Sequence, residues 1–133
     1  MGAILLISGT ELNPDEFNLG WDLKPTTIHR KGEPVRLTRP EGKKKDASTI
    51  IFDISDAAYS DLSGQIKEVT KFLRDYKPYL EKLEYNPTVE SVAIDFAFNS
   101  RIDRVKVEVQ NDYFPADFVK FAGSFNMEIR LTQ

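Results

Sequence analysis

The chain contains no cysteine among its 133 residues and only one histidine, His29. The lack of cysteine excludes a disulfide framework, a thiolate nucleophile and a zinc–thiolate site. The lack of a second histidine excludes a histidine-rich metal site, so we predict no bound metal. A chain without cysteine is also typical of a reducing compartment, and we expect a cytoplasmic protein.

Long apolar runs and glycine-rich motifs are missing as well. The N-terminal run from Ala3 to Ile7 is shorter than the roughly 7–15 apolar residues of a secretory signal and the about 20 of a membrane span, so we expect no membrane association. The glycines are not spaced as in a phosphate-binding loop, and no Gly-x-Ser-x-Gly turn is present. We therefore predict no cofactor and favour a protein that is not an enzyme.

The composition is that of an ordinary globular protein, with 41% hydrophobic and 29% charged residues. Its length predicts a single domain over residues 1–133. An apolar stripe at helical spacing predicts a long helix from Asp61 to about Lys77, with a break at Pro78. A short helix is expected after Asn13-Pro14, and another from Pro115 to Ala122, with Gly123 as its C-terminal cap.

Alternating or continuous apolar runs predict about six strands. They lie at residues 3–8, 26–30, 48–53, 90–99, 104–110 and 127–131. The runs 90–99 and 104–110 indicate a hairpin, and the run 3–8 is apolar on both faces, which is typical of a covered central strand. The order of elements predicts an α+β fold, with a largely antiparallel (mixed) sheet and the long helix and two shorter helices packed on it.

The charge of the chain is uneven. Its formal net charge is −3, yet residues 30–45, which we call the basic loop, hold seven basic and two acidic residues and so carry +5. The remainder therefore carries −8. Since loops longer than about 12–15 residues are often functional, the basic loop is the main candidate for a binding site, with its lysine triplet 43–45 as the expected tip. We assign the binding contacts to these residues: His29, Arg30, Lys31, Arg36 and Arg39.

Two single residues are candidates for reactive groups. His29 precedes Arg30 and Lys31, and we interpret it as a strand-edge residue with no catalytic role. Asp95 lies in an apolar strand between Ile94 and Phe96, and we expect its side chain to face solvent. The sequence thus predicts no catalytic residue.

Three segments carry a family resemblance. They are residues 6–16 (Leu-Ile-Ser-Gly-Thr-Glu-Leu-Asn-Pro-Asp-Glu), residues 23–26 and residues 30–34 (Arg-Lys-Gly-Glu-Pro). This run resembles the opening of the bacterial family called domain of unknown function 4279, and the later elements follow the order of that family. One departure is Phe52, where the family usually has a tryptophan in the strand after the basic loop. The resemblance implies a bacterial α+β protein and no particular activity.

Three functions are consistent with these features. The first is a noncatalytic protein-binding module, for example an immunity-type inhibitor or a regulatory protein. The second is a binder or small enzyme that takes an anionic small molecule through the basic loop. Nucleic acid is disfavoured, because the basic loop has no aromatic residue for base stacking and the whole chain is acidic. An edge strand that pairs with its own copy would give a homodimer.

Overall fold

The computed structural model describes residues 2–100, 102 and 109–133. They form an α+β fold built on one mixed sheet of five strands in the order β2-β3-β1-β4-β5. The strands are β1 (Ala3–Gly9), β2 (Thr27–His29), β3 (Ser48–Asp53), β4 (Ser91–Ala97) and β5 (Glu128–Thr132). The helices are α1 (Leu62–Asp75), the single turn α2 (Lys77–Glu81), which runs into a 3-10 turn at Lys82–Tyr85, and α3 (Ala116–Ser124).

Pairing in the sheet is antiparallel except between its last two strands. β1 lies between β3 and β4, with Leu5 opposite Phe52 on one side and Ile94 on the other. β4 and β5 run parallel, and α3 makes the crossover between them. The prediction of a mixed, largely antiparallel sheet with helices is therefore confirmed at this level.

The strand count differs from the prediction of about six. The structure has five strands in its described residues. Most of the predicted hairpin partner, residues 104–108, lies outside the described residues, and 109–110 are described as irregular. The first strand of the predicted hairpin is present as β4, but the predicted pairing is wrong along β4, because β1 pairs with one of its edges and β5 with the other.

One face of the sheet carries the core. Ala3, Leu5 and Ile7 of β1 are fully buried there against the apolar stripe of α1, whose buried members include Val69 and Leu73. The opposite face is less covered than the sequence predicted, because Ile4 and Leu6 are only half-buried. β1 is central as expected, but the helices of the described residues cover only one of its faces.

The predicted helix after Asn13-Pro14 is wrong. The structure has a turn there, in which the amide groups of Glu16 and Phe17 donate to the Asn13 carbonyl and Asn13 Oδ1 accepts from the amide of Asp15. The capping chemistry of Asn13 is therefore present, but Gly20, at φ 82°, lies in another turn only a few residues on. A helix this short gains too few hydrogen bonds to offset its nucleation.

Two helix ends test the proline and glycine signals. The break at Pro78 is confirmed, since α1 ends at Asp75 and α2 restarts at Lys77 with proline in its first turn. The cap at Gly123 is wrong. α3 continues through Ser124, and Asn126 takes the left-handed conformation at φ 58° that glycine was expected to supply.

Candidate functional site

The basic loop is folded back on itself as a narrow ribbon. Its two arms are joined by backbone hydrogen bonds from Gly32 to Lys45 (3.0 Å), from Lys45 to Glu33 (2.8 Å) and from Val35 to Lys43 (2.9 Å). Gly32 has φ 89°, a conformation that favours glycine, where the first arm begins. The lysines 43–45 therefore lie on the returning arm, and not at the tip as the sequence suggested.

The tip of the ribbon is formed by residues 36–42. Two turns close it, through the amide of Arg39 bonded to the Arg36 carbonyl and the amide of Gly42 bonded to the Arg39 carbonyl, each at 3.0 Å. These turns bring Arg36 and Arg39 to one end of the loop, although nothing in their spacing along the sequence requires it.

Arg30 and Lys31 fasten the base of the loop to the body. Arg30 Nη2 lies 2.7 Å from Asp15 Oδ1, and Lys31 Nζ donates to the Thr10 carbonyl at 3.3 Å. The Lys31 amide also donates to the hydroxyl of the buried Ser48 at 2.9 Å. The hydrogen bond from Arg30, with its positive charge, lowers the pKa of Asp15 below its ordinary range. Both cations therefore already have bonding partners within the fold.

A second carboxylate supports the same anchor. Glu90 Oε1 accepts from the amide of Thr10 at 2.8 Å and also from the Thr10 hydroxyl. These hydrogen bonds, aided by the charge of Lys31, lower the pKa of Glu90. The segment that follows β1 therefore links the base of the basic loop to the start of β4.

His29 lies at the end of β2, half-buried on the less covered face of the sheet, with Thr49 as its cross-strand neighbour. Its Nδ1 is 2.8 Å from Lys45 Nζ. An ammonium group can only donate, so Nδ1 of His29 is the acceptor in this contact. This contact gives His29 a role in holding the returning arm of the basic loop to β2.

Arg36 and Arg39 are the two predicted contacts that remain available. Together with Val35, Gly42 and Lys43 they line an open cavity of about 400 Å³. Among the residues that the structure describes, none forms an ion pair with Arg36, Arg39 or Lys43. The cavity therefore presents three uncompensated cations to solvent.

Two aliphatic side chains beside these cations are also exposed. Leu37 at the tip is 90% exposed and Val35 is 50% exposed. The sequence analysis treated the basic loop only as a charged segment and missed this apolar component. The signal was present as Val35 and Leu37 on either side of Arg36, but a single exposed aliphatic residue in a loop is too common to stand out.

The chemistry available here is anion binding. Guanidinium groups bind carboxylate or phosphate through paired hydrogen bonds, and lysine adds a point charge. Of the five predicted contacts, the structure brings Arg36 and Arg39 together at the tip, whereas His29, Arg30 and Lys31 hold the base. Within the described residues, no group of three or more His, Asp or Glu side chains is arranged to hold a metal ion.

Asp95 lies away from the basic loop, in a cavity of about 440 Å³ at the end of the less covered face. It is half-buried, and both of its carboxylate oxygens are 2.8 Å from the hydroxyl of Thr132. The expectation that Asp95 faces solvent is therefore only partly met, because the side chain is half-buried and its carboxylate accepts from Thr132 on the neighbouring strand.

Searches against protein-family models, curated proteins and solved structures find no match to this chain. The resemblance to the domain of unknown function 4279 accordingly stays a hypothesis. In the part of the chain that the structure describes, no helix has the length and apolar character needed to cross a bilayer.

Proposed function

We propose that this protein is a noncatalytic binding module that docks on an acidic protein surface through the tip of its basic loop. The observation that carries the proposal is a combination of two features at the tip of a loop whose base is bonded to the rest of the fold. Arg36, Arg39 and Lys43 have no ion-pair partner among the described residues, and Leu37 beside them is exposed. Arginine is enriched in protein interfaces, and cations without internal partners keep their full charge for a ligand.

The apolar component favours a protein over a small anion. Burying Leu37 and Val35 against a partner would add hydrophobic stabilisation that phosphate or citrate does not provide. The ordered ribbon also favours binding, because a fastened loop loses less conformational entropy on docking than a free one. A toxin neutralised by an immunity-type inhibitor is one concrete form of such a partner.

The experiment compares three forms of the protein as bait in lysate of the source cells. They are the wild type, the loop variant Arg36→Glu/Arg39→Glu, and a control, Lys67→Glu/Arg74→Glu, which makes the same charge change at exposed positions of α1. We expect the wild type and the control to capture the same acidic protein, and the loop variant to bind it at least tenfold more weakly. Equal capture by the loop variant, or no capture by any form, contradicts the proposal.

The second candidate is a binder of anionic small molecules at the same residues. It is supported by the cavity of about 400 Å³ between Arg36, Arg39 and Lys43. A thermal-shift screen with inorganic phosphate, pyrophosphate and citrate separates the two, since a ligand raises the unfolding midpoint by mass action. A rise seen in the wild type and lost in the loop variant favours this candidate, and no rise favours the protein partner.

A further inference from the structure

β5 is an edge strand of the sheet formed by the described residues. Its inner side pairs with β4, and the Phe98 amide donates to the Thr132 carbonyl at 2.9 Å, so the peptide groups of Thr132 face inward. Because successive residues of a strand alternate in direction, the N–H and C=O groups of Ile129 and Leu131 point outward. Among the residues described, no strand pairs with that outer side.

This edge carries few of the devices that usually prevent pairing between molecules. Protein edge strands are commonly protected by charged side chains, especially lysine, by proline, by a bulge or by a very short length. β5, with the sequence Glu-Ile-Arg-Leu-Thr, has five residues and neither proline nor lysine, and its two charges, Glu128 and Arg130, are opposite in sign. The other edge, β2, has only three residues and runs directly into the basic loop. β5 is therefore the edge suited to main-chain pairing.

We propose that β5 pairs antiparallel with β5 of a second copy, about a two-fold axis at Ile129. The axis is perpendicular to the sheet, so the helix-covered faces of the two copies lie on the same side and residues opposite each other must lie on the same face. The residue at the axis therefore lies opposite the same residue of the second copy. With the axis at Ile129, Glu128 lies opposite Arg130 of the partner subunit, and Arg130 lies opposite Glu128 of the partner subunit.

The charges select this register over its neighbours. An axis at Arg130 would place two arginines directly opposite each other, which is unfavourable. An axis at Leu131 would pair Arg130 with Thr132 of the partner subunit and leave Glu128 without a partner. Only the axis at Ile129 forms two opposite-charge pairs, and it also places Leu131, 50% exposed in the single chain, opposite Met127 of the partner subunit.

The ion pairs set the register, and the main chain and apolar side chains supply the attraction. In the single chain, Arg130 Nη2 is 2.8 Å from Glu128 Oε2, with both side chains about half exposed. Dimerisation exchanges the two internal pairs, one in each chain, for two pairs between molecules, and exposed ion pairs contribute little net free energy. The outward peptide groups of Ile129 and Leu131 gain partners in the same step.

The dimer would hold two basic loops far apart. β2, which leads into the basic loop, is the strand furthest from β5. In a continuous sheet of two such five-stranded halves, the two β2 strands are nine strand spacings apart, roughly 43 Å at about 4.8 Å each before twist is included. The dimer would therefore present two equivalent docking sites to a repetitive or dimeric partner.

The test is sedimentation velocity on charge-exchanged variants of the full chain. We expect the wild type to be a dimer, and Glu128→Lys and Arg130→Glu each to weaken the dimer at least tenfold, because each places like charges opposite each other. An equimolar mixture of the two single variants should form a heterodimer, and the double variant Glu128→Lys/Arg130→Glu should dimerise again. Circular dichroism verifies that each variant is folded.

Several results would overturn the pairing. One is a wild type that stays monomeric at the concentrations used for NMR. Another is a pair of single variants that dimerise as tightly as the wild type. A mixture that stays monomeric while each single variant has lost its dimer would reject this register. The loop variant Arg36→Glu/Arg39→Glu should dimerise normally, which keeps this result separate from that of the proposed function.

Discussion

At the scale of single residues, Gln65 shows how a polar side chain can be essential to the core. It is fully buried on α1, where its Nε2 donates to the carbonyls of Ala58 (3.1 Å) and Ala97 (3.0 Å) and its Oε1 accepts from the Ala97 amide (3.1 Å). It thus joins the helix to the end of β4. The apolar stripe of the sequence placed Gln65 off the buried face, since no pattern reports where a backbone lacks a partner.

Gln65→Leu tests this role. Leucine has a similar size but leaves the carbonyls of Ala58 and Ala97 without their donor, and we expect a loss of about 1–3 kcal/mol in the free energy of unfolding. Urea denaturation measures it. Lys67→Gln, at an exposed position of the same helix, should change stability by less than about 0.5 kcal/mol. An unchanged midpoint for Gln65→Leu would contradict the role.

The carboxylate of Glu68 gives a pH-dependent prediction. Its Oε2 accepts from the Ser55 hydroxyl (2.6 Å) and the Asp56 amide (2.8 Å), and these hydrogen bonds lower its pKa. Because the folded pKa is depressed, the stabilisation is present above the pKa of the unfolded chain and is lost as the pH falls through the folded value. A carboxyl NMR titration should show a higher midpoint for Glu68 in Ser55→Ala, and no change in Ser63→Ala.

At the scale of elements, strong apolar periodicity was a sound guide. The apolar residues of the α1 stripe and of the inward side of β4 are buried as predicted, because both elements pack against the same core, although Gln65 and Ala93 are buried as well. The predicted helix after Asn13 is a turn in the structure, because capping signals mark where a helix can begin but not whether enough helix-forming residues follow to stabilise it. The cap predicted at Gly123 is wrong because asparagine can also take the left-handed backbone conformation, which Asn126 does just after the end of α3.

Phe96 on β4 tests the packing between strand and helix. Its side chain is fully buried, with ring centroids 5.1 Å from Phe114 and 5.7 Å from Phe118 of α3. Phe96→Ala should lower the free energy of unfolding by about 3–5 kcal/mol, since it leaves a cavity between sheet and helix. Leu37→Ala, at a position 90% exposed, should stay within about 0.5 kcal/mol. Equal effects of the two substitutions in thermal unfolding would contradict the assignment of the core.

At the scale of the whole molecule, the sequence predicted a charged loop. It did not predict which cations of the loop bind to other residues of the fold and which stay available for a partner. Composition alone gives the +5 of residues 30–45. It does not distinguish Arg30, bound to Asp15, from Arg36 and Arg39, which have no partner among the described residues, because those contacts depend on where the turn after β1 lies in space. The same limit applies to the β5 edge, whose exposure follows from strand order.

The central claim is that the unpaired cations at the tip of the basic loop are the docking surface. It is tested most directly by the dissociation constant of the captured partner, measured for the wild type, Arg36→Glu/Arg39→Glu and Lys67→Glu/Arg74→Glu at low and high salt. We predict that the dissociation constant rises at least tenfold for the loop variant alone. Its dissociation constant should also depend less on salt than that of the wild type, because fewer charges are then attracted to the partner. The same constant and the same salt dependence for the loop variant and the wild type would contradict the claim.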